Sequence, residues 1–228
     1  QESFKFLMDP MLATGAEKIS AMGYGNAINA LSDQEGGVAK YFSQRFAQVT
    51  NPPLDSIREA DGMTLRVALG AKPNIGAKAA RQIVVPSPIL THLDMLRIRE
   101  QAETPVKRFE MLYTPDLEDA GANEQALEQA IDALCAAIAA FAREEGGIAV
   151  VTDRHVARTR AALPMILVVS AVNQKLIEEG LRLRLSLVVE SGQIASSHHV
   201  ATVLGFGASA VYPLGVQFRA EEKFGGEA

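Results

Sequence analysis

Polar residues that could do chemistry are concentrated in the string Thr152-Asp153-Arg154-His155, which directly follows a short apolar run. A carboxylate and a guanidinium that leave a buried strand together could orient a polar substrate or line a passage for one. The simpler interpretation is structural, with Asp153 capping the next turn and pairing with an arginine. Both interpretations place these residues at the carboxyl end of a strand.

A second acidic residue, Glu190, follows the next apolar run, at residues 185–189. Polar groups at the carboxyl ends of parallel strands gather at one edge of the sheet, where α/β proteins place their sites. The Glu190 carboxylate could act as a base or anchor an arginine of a partner. It could equally form a structural ion pair with Arg154, and the sequence leaves both roles open.

Two adjacent histidines, His198 and His199, open a short predicted helix. Neighbouring helical residues point about 100° apart, so the two rings do not easily face one metal ion, and no third ligand at helical spacing is evident. We interpret them as capping or hydrogen-bonded histidines. If the chain were a stand-alone enzyme, His198 would join Asp153, Arg154 and Glu190 in a strand-end polar site.

The single cysteine, Cys135, falls in the apolar stripe of a predicted helix and is interpreted as a core residue. One cysteine excludes an intrachain disulfide and a cysteine-rich metal site, and it fits a reducing, cytoplasmic location. The net charge of −5 disfavours a nucleic-acid-binding protein. No apolar run reaches the roughly 18 residues of a membrane helix. We therefore expect neither a nucleic-acid nor a membrane partner.

The most unusual short string in the chain is Thr50-Asn51-Pro52-Pro53. Two prolines fix the backbone and remove two N–H donors, so the Thr50 and Asn51 side chains must bond elsewhere. One interpretation is a helix cap followed by proline in the first turn. The other is a rigid wall that offers polar groups to a small molecule.

The elements that position the strand-end residues are clearest over residues 106–228. Strands and helices alternate strictly there, which indicates a parallel sheet with right-handed crossovers. Strands are predicted over residues 107–113, 148–151, 185–189 and 208–212, and helices over residues 122–145, 163–179 and 197–204. The predicted fold class is α/β, with a partial (β/α) barrel-like, parallel four-stranded sheet and flanking helices. A small doubly wound sheet fits the same pattern.

Residues 1–105 are interpreted as a helical and irregular N-terminal part of the same domain. Helices are predicted over residues 37–48, 53–69 and 90–101, with a loop at 71–80. The first of these helices is expected to end before Pro52, because proline disfavours a helical conformation in the residue that precedes it.

Residues 42–59, which contain Val49-Thr50-Asn51-Pro52-Pro53, resemble the signature of the central domain of glutamate synthase large subunits. The string is long and specific. The similarity keeps its order from about Leu7 to Pro213, nearly the whole chain. It continues at residues 63–65, 86–90, 152–154, 187–192, 198–199 and 204–211.

This resemblance implies a function that is shared with neighbouring domains. In the family, a glutaminase domain releases ammonia from glutamine, and the ammonia travels inside the protein to a barrel that carries FMN and a 3Fe–4S cluster. There it adds to 2-oxoglutarate, and reduction with electrons from NADPH, NADH or ferredoxin gives glutamate. The central domain resembles part of a βα barrel, links the two active sites and walls part of the ammonia tunnel. The family's Thr-Asn-Pro segment near the tunnel entrance maps to Thr50, Asn51 and Pro52.

The chain departs from the family pattern at a few positions. His155 stands where the family usually has glycine, and residues 24–28, 195–197 and 212–215 also differ. The chain opens on Gln1 rather than methionine, so we expect an internal piece of a longer polypeptide.

The implied role assigns no catalytic, cofactor-binding or metal-binding residue to this chain, which we expect to be inactive alone. Its expected partners are the glutaminase and FMN domains of the same polypeptide, with a small reductase subunit or ferredoxin as an electron-transfer partner. The alternatives are a stand-alone βα enzyme or small-molecule-binding domain that uses Asp153, Arg154 and Glu190, and a scaffold with no role in a tunnel.

Overall fold

The structure of the chain, a computed structural model, describes residues 3–17, 38–43, 49–73 and 81–225. The N-terminal part begins with a π-helical turn, Ser3–Met8, that runs into a short helix. Its elements are α1 (Asp9–Thr14), a 3₁₀ turn (Ala39–Tyr41), α2 (Ser56–Gly62), β1 (Val67–Leu69), β2 (Ile83–Val85) and α3 (His92–Glu100). β1 and β2 pair with each other in antiparallel orientation.

The second part alternates strands and helices. In chain order it contains β3 (Val106–Glu110), β4 (Leu112–Tyr113), α4 (Ala120–Glu144), β5 (Gly147–Thr152), β6 (Ala161–Ala162), α5 (Met165–Glu178), β7 (Leu185–Ser191), α6 (Ser197–Gly205), β8 (Ala210–Pro213) and α7 (Leu214–Phe224). One four-stranded parallel sheet forms in the order β3-β5-β7-β8. The predicted α/β fold is confirmed. Within the described ranges the sheet is open, with β3 and β8 at its edges.

Each face of the sheet is covered by a different set of helices. Side chains alternate along a strand, so Phe109 and Val151 point to one face and Ile148 and Val150 to the other. The first face packs against α4, α5 and α6, through side chains such as Ile138. The second packs against the N-terminal part, with Leu69, Leu90 and Ile98 at its centre. Coverage of both faces explains why β5 and β7 are buried along their whole length.

The helix predicted over residues 53–69 is wrong beyond Gly62. α2 begins after Asp55, whose carboxylate accepts the Arg58 N–H at 2.9 Å, and it ends at Gly62. Residues Val67–Leu69 instead form β1, because Leu69 is fully buried against the sheet. Burial contacts with distant residues override a local helical pattern here.

Of the helix predicted over residues 37–48, the structure describes residues 38–43, and these do not form an α-helix. Within 38–43 there is one 3₁₀ turn, and Phe42 already has an extended backbone. The remainder of that prediction, at residues 37 and 44–48, lies outside the described residues.

The strand predicted over residues 107–113 is divided in two. β3 ends at Glu110, and the buried Met111 then donates its N–H to the Thr152 carbonyl at 2.9 Å. Leu112–Tyr113 leave the main sheet and pair antiparallel with β6. α7 follows β8 directly and was not predicted.

The β8 edge of the sheet is covered by a short proline-rich segment, residues 86–90. The Leu90 N–H donates to the Val211 carbonyl at 2.8 Å, and the Val211 N–H donates to the Pro88 carbonyl at 2.7 Å. This bridge runs parallel to β8.

α4 has the length and mean hydropathy, 1.2, of a helix that could cross a membrane. In the structure its apolar stripe instead packs on the sheet, with Ile131, Leu134, Ile138 and Phe141 buried. This helix is therefore a core element, as the three-four-three spacing of these apolar residues predicts.

The N-terminal segment is docked on α7 by Asp9. Its carboxylate accepts two hydrogen bonds from Arg219, at 2.8 and 2.9 Å, and lies 3.2 Å from the Lys223 ammonium. The Arg219 guanidinium also lies over the Phe4 ring, at 5.5 Å. The hydrogen bonds from Arg219, supported by Lys223, lower the pKa of Asp9 from 3.8 to about 2.

We expect the Asp9 carboxyl to titrate near pH 2 in the folded chain, which carboxyl NMR shifts would measure. Because the folded pKa is lowered, the pairing stabilises docking above about pH 3.8 and is lost as the pH falls through about 2. Asp9→Asn should speed hydrogen exchange at the Gly15 amide, which bonds to Met11. Glu222→Gln, which removes only an exposed partner of Arg219, is the control. A midpoint near 3.8 would contradict this docking.

Candidate functional site

Asp153 ties the ends of β5 and β7 together. Its carboxylate accepts the Ser191 hydroxyl at 2.6 Å and the Gly192 N–H at 2.9 Å. The Gln193 side-chain amide lies 3.4 Å away. Asp153 itself is buried. Asp153 therefore holds the turn after β7. The arginine pair that the structural interpretation of the sequence proposed for it is not formed.

Glu190 is bound by two arginines on one face of the sheet. Arg154 donates from Nε and Nη2 to Oε1, at 3.0 and 2.6 Å, and Arg108 donates from Nη2 to Oε2 at 2.6 Å. The Glu190 side chain is 1% exposed, whereas those of Arg154 and Arg108 are 29% and 46% exposed. A buried carboxylate thus bridges two guanidinium groups that reach solvent.

The arginines determine the protonation state of Glu190. Burial by itself would raise its pKa, but hydrogen bonds from Arg154 and Thr152 and the charges of both arginines hold the pKa below its ordinary value. A carboxylate that is ionised and engaged on both oxygens is a poor proton acceptor near neutral pH. Of the two roles that the sequence leaves open for Glu190, the geometry therefore corresponds to the structural ion pair with Arg154.

Arg154 is held on its other side by aromatic residues. Its guanidinium carbon lies 5.6 Å from the centre of the Phe218 ring on α7. Tyr212 on β8 contacts it as well, and burial raises the pKa of the Tyr212 hydroxyl, which stays protonated. α7, which was not predicted, thus helps to position a predicted site residue.

A cavity of about 410 Å³ opens above this ion-pair cluster, between α3 and the sheet. We call it the α3 cavity. Its lining residues are His92, Met95, Leu96, Ile98, Arg99, Val106, Arg108, Val150, Arg154 and Glu190.

A second ion-pair cluster lies next to the first, at the end of β3. Glu110 contacts the Nδ1 atom of His155 at 2.6 Å and accepts a hydrogen bond from Arg160 at 2.5 Å. The bond from Arg160, followed by that from His155, lowers the pKa of Glu110. All three side chains are at least 40% exposed, so the cluster is a surface contact of modest energy.

The predicted strand-end residues are only partly brought together. Arg154 and Glu190 are paired, whereas Asp153, which directly precedes Arg154, bonds to Ser191 and Gly192. His198 lies on α6, where its Nε2 atom is 2.7 Å from the Ala39 carbonyl oxygen. His199 bonds to the Ser196 hydroxyl at 2.7 Å, so both histidines are hydrogen-bonded.

Arg108 is the site residue that sequence reasoning missed. The pair Lys107-Arg108 lies within a predicted strand, so one of the two charges must point toward each face of the sheet. Arg108 lies on the same face of the sheet as Glu190 and donates a hydrogen bond to it. Among the described residues, no group of three or more His, Cys, Asp or Glu side chains is placed to hold a metal ion.

The second candidate region, Thr50, Asn51 and Pro52, lies on the surface. Thr50 and Asn51 are exposed, and neither side chain forms a hydrogen bond with any described residue. The Leu54 N–H donates to the Pro52 carbonyl at 2.8 Å, which closes a tight turn. The helix cap is Asp55, so the alternative that Thr50 or Asn51 caps the helix is wrong.

Several large apolar side chains that are close to this turn in the sequence are exposed. The exposed members within residues 49–65 are Val49, Leu54, Ile57, Met63 and Leu65, each between 39% and 79% exposed. We call residues 49–65 the apolar segment. Exposed apolar side chains that form a contiguous patch mark a surface that contacts another protein.

Comparisons with known proteins match the chain over nearly its whole length. A family profile described as the glutamate synthase central domain matches residues 1–225. The chain is 36% identical over 218 residues to the ferredoxin-dependent glutamate synthase of Cyanidium caldarium, covering 93% of this chain and 14% of that protein.

Two further relatives are named for other electron donors. The chain is 35% identical over 223 residues to the Schizosaccharomyces pombe glutamate synthase [NADH], covering 93% of this chain and 10% of that protein. It is 30% identical over 219 residues to the Bacillus subtilis glutamate synthase [NADPH] large chain, covering 92% and 13% respectively. The chain thus spans between a tenth and a seventh of the length of these relatives.

Proposed function

Because the chain belongs to the family of glutamate synthase central domains, we propose that it connects a glutaminase domain to an FMN-containing synthase domain. In this role it also forms part of the wall along which ammonia passes between them. The parent reaction would convert glutamine and 2-oxoglutarate, with reduction, into two molecules of glutamate. The single observation that carries the proposal is the exposed apolar segment that contains Thr50, Asn51 and Pro52.

The apolar segment supports contact with a neighbouring domain. The relatives are seven to ten times longer than their match to this chain, so the domain has neighbours in those polypeptides. Ile57 and Leu65 are 79% and 65% exposed, and burying a side chain of this kind contributes about 1.5–3 kcal/mol. A neighbouring domain that covered them would gain much of its binding energy there.

The composition of the turn suits a passage for ammonia. Ammonia that meets bulk water near neutral pH is protonated and loses its nucleophilicity, so a passage must exclude water and exchangeable acids. Pro52 and Pro53 fix the backbone and present no N–H. Thr50 and Asn51 offer neutral hydroxyl and amide groups, which can bond to ammonia without protonating it.

The redox groups of the parent enzyme would belong to the neighbouring domain. A 3Fe–4S cluster is held by cysteine thiolates, and this chain contains one cysteine, Cys135, which is buried in the core. The cluster would therefore act outside this domain. The proposal places FMN and the electron donor, which is NADPH, NADH or ferredoxin, in that neighbouring domain as well, where a reductase subunit or ferredoxin would dock. The single cysteine also supports a cytoplasmic location.

We expect Asn51→Leu in the full-length enzyme to uncouple the two half-reactions. Leucine removes the neutral hydrogen-bonding group while keeping similar volume, so glutamine hydrolysis should continue while less ammonia reaches the synthase site. The measurement is glutamine hydrolysed per 2-oxoglutarate consumed, together with ammonia released to the medium. We expect the ratio to rise.

Gln125→Leu is a matched control for this experiment. It makes a similar amide-to-leucine change at an exposed position on α4, remote in sequence from the apolar segment, and should leave the ratio unchanged. An unchanged ratio in Asn51→Leu as well would favour a scaffold without a role in ammonia transfer.

A further inference from the structure

We infer that the α3 cavity binds a small organic carboxylate with an aliphatic body. This binding function is separate from the passage proposed for the apolar segment, and it rests on the charge, the free donors and the lining of the cavity.

The charges that line the cavity do not cancel. Three arginines, Arg99, Arg108 and Arg154, line it together with one ionised carboxylate, Glu190. The charges of these four side chains sum to +2. A cleft with walls of low polarity concentrates the field of such charges and attracts anions.

The arginines retain donors that can reach an anion. A guanidinium carries five N–H donors, and Arg108 uses only Nη2, toward Glu190. Arg99 forms no hydrogen bond or ion pair with any residue that the structure describes. Because Glu190 holds Arg108 by one nitrogen, the other edge of its planar fork is available for a bidentate carboxylate.

The rest of the lining selects the body of the ligand. Met95 and Leu96 on α3 and Val106 and Val150 on the sheet give the cavity apolar lining next to its arginines, and Arg108 is the direct cross-strand partner of Val150. A volume of about 410 Å³ lies within the usual range of small-molecule sites, about 300–1,000 Å³. A lining that combines apolar side chains with arginines fits an aliphatic carboxylate better than inorganic phosphate.

The cavity lies on one face of the sheet, beneath α3. Glu190 and Arg154 are near the carboxyl ends of β7 and β5, and Val106 and Val150 extend the lining along the strands. The buried Glu190 fixes the two arginines before a ligand arrives, so little side-chain entropy is lost on binding.

The test is an NMR titration of the 228-residue chain with hexanoate, with hexanol as the neutral probe. We expect hexanoate to shift the signals of residues on α3 and β3 and to bind at least about tenfold more tightly than hexanol, because only the carboxylate can pair with the free arginine donors. Arg108→Gln should weaken hexanoate binding about tenfold or more.

Two further variants separate this site from a general charge effect. Lys107→Gln removes the same charge from the opposite face of β3 and should leave hexanoate binding unchanged. Leu96→Glu places a negative charge in the apolar wall without touching the ion pairs, and should abolish binding.

Three outcomes would overturn the proposal. They are the absence of hexanoate binding to the folded chain, equal weakening by Lys107→Gln and Arg108→Gln, and inorganic phosphate that binds more tightly than hexanoate at the same residues.

Discussion

Replacement of both Arg108 and Arg154 by glutamine is expected to lower the free energy of unfolding by about 3–5 kcal/mol at pH 7. The double variant leaves the Glu190 carboxylate, 1% exposed, without a cationic partner in a low-dielectric site. Each single variant leaves it one arginine, so each should cost about 1–2 kcal/mol, as for loss of a hydrogen bond to a charged group that keeps a second partner. The two changes should therefore not be additive.

Urea unfolding at several pH values measures this effect. In the wild-type chain the pKa of Glu190 is held low, so its pairing stabilises the fold above the ordinary carboxyl pKa and is lost as the pH falls below it. In the double variant the lone buried carboxylate has a raised pKa. The difference in stability should therefore be largest near pH 7 and shrink toward pH 4.

A surface ion pair provides the control for this prediction. Arg143 on α4, whose side chain is 54% exposed, pairs with Glu179, the residue after α5, and Arg143→Gln should cost at most about 1 kcal/mol. The arginines do not control the charge of Glu190 if the double variant loses no more unfolding free energy than the two single variants together. The same conclusion follows if the loss does not depend on pH.

Gly147→Ala is the second change with a large expected effect, about 3 kcal/mol or more. Gly147 opens β5 with a φ of 106°, which disfavours any residue with a Cβ, and the new methyl group would lie 2.3 Å from the Pro105 carbonyl oxygen. That oxygen also accepts the Ile148 N–H at 2.8 Å, so it cannot move without loss of a buried hydrogen bond. Backbone strain and overpacking each contribute about 1–3 kcal/mol.

Gly180→Ala separates the two contributions. Gly180 follows α5 with a φ of 69°, but nothing lies within 4 Å of the position that its new methyl group would occupy. This variant should cost only about 1–2 kcal/mol, from the left-handed backbone alone. Thermal or urea unfolding of both variants gives the comparison. Equal losses would mean that the region around Pro105 relaxes to accept the methyl group.

Regular elements with strong local patterns were predictable from the sequence. α4 follows from its apolar spacing, and β5 and β7 from apolar runs of a length that suits buried strands. β1 was missed because residues 67–69 continue a helical pattern and become a strand only by pairing with β2 across a connection of more than ten residues. Local propensity carries no information about that partner.

In the candidate site, too, some features follow from the local sequence and others depend on distant residues. The positions of Asp153, Arg154 and Glu190 at strand ends follow from the alternation of strands and helices. Their hydrogen-bond partners depend on register and on a neighbouring strand, so the choice of Arg108 for Glu190, and of Ser191 for Asp153, could not be read from local sequence. His198 was grouped with them only because it also follows β7, whereas α6 carries it to Ala39.

The proline-rich segment at the β8 edge has a consequence for how the chain behaves in solution. An open parallel sheet invites intermolecular strand addition at its margins, which leads to aggregation. In this bridge Pro88 and Leu90 point toward Val211, and the outward-facing Ile89 N–H already donates to the Ser87 Oγ atom at 3.1 Å, so it is not free to pair with a further strand. At the opposite margin β3 exposes Lys107, Arg108 and Glu110, whose charges repel an approaching strand. The sheet can therefore stay open without polymerising.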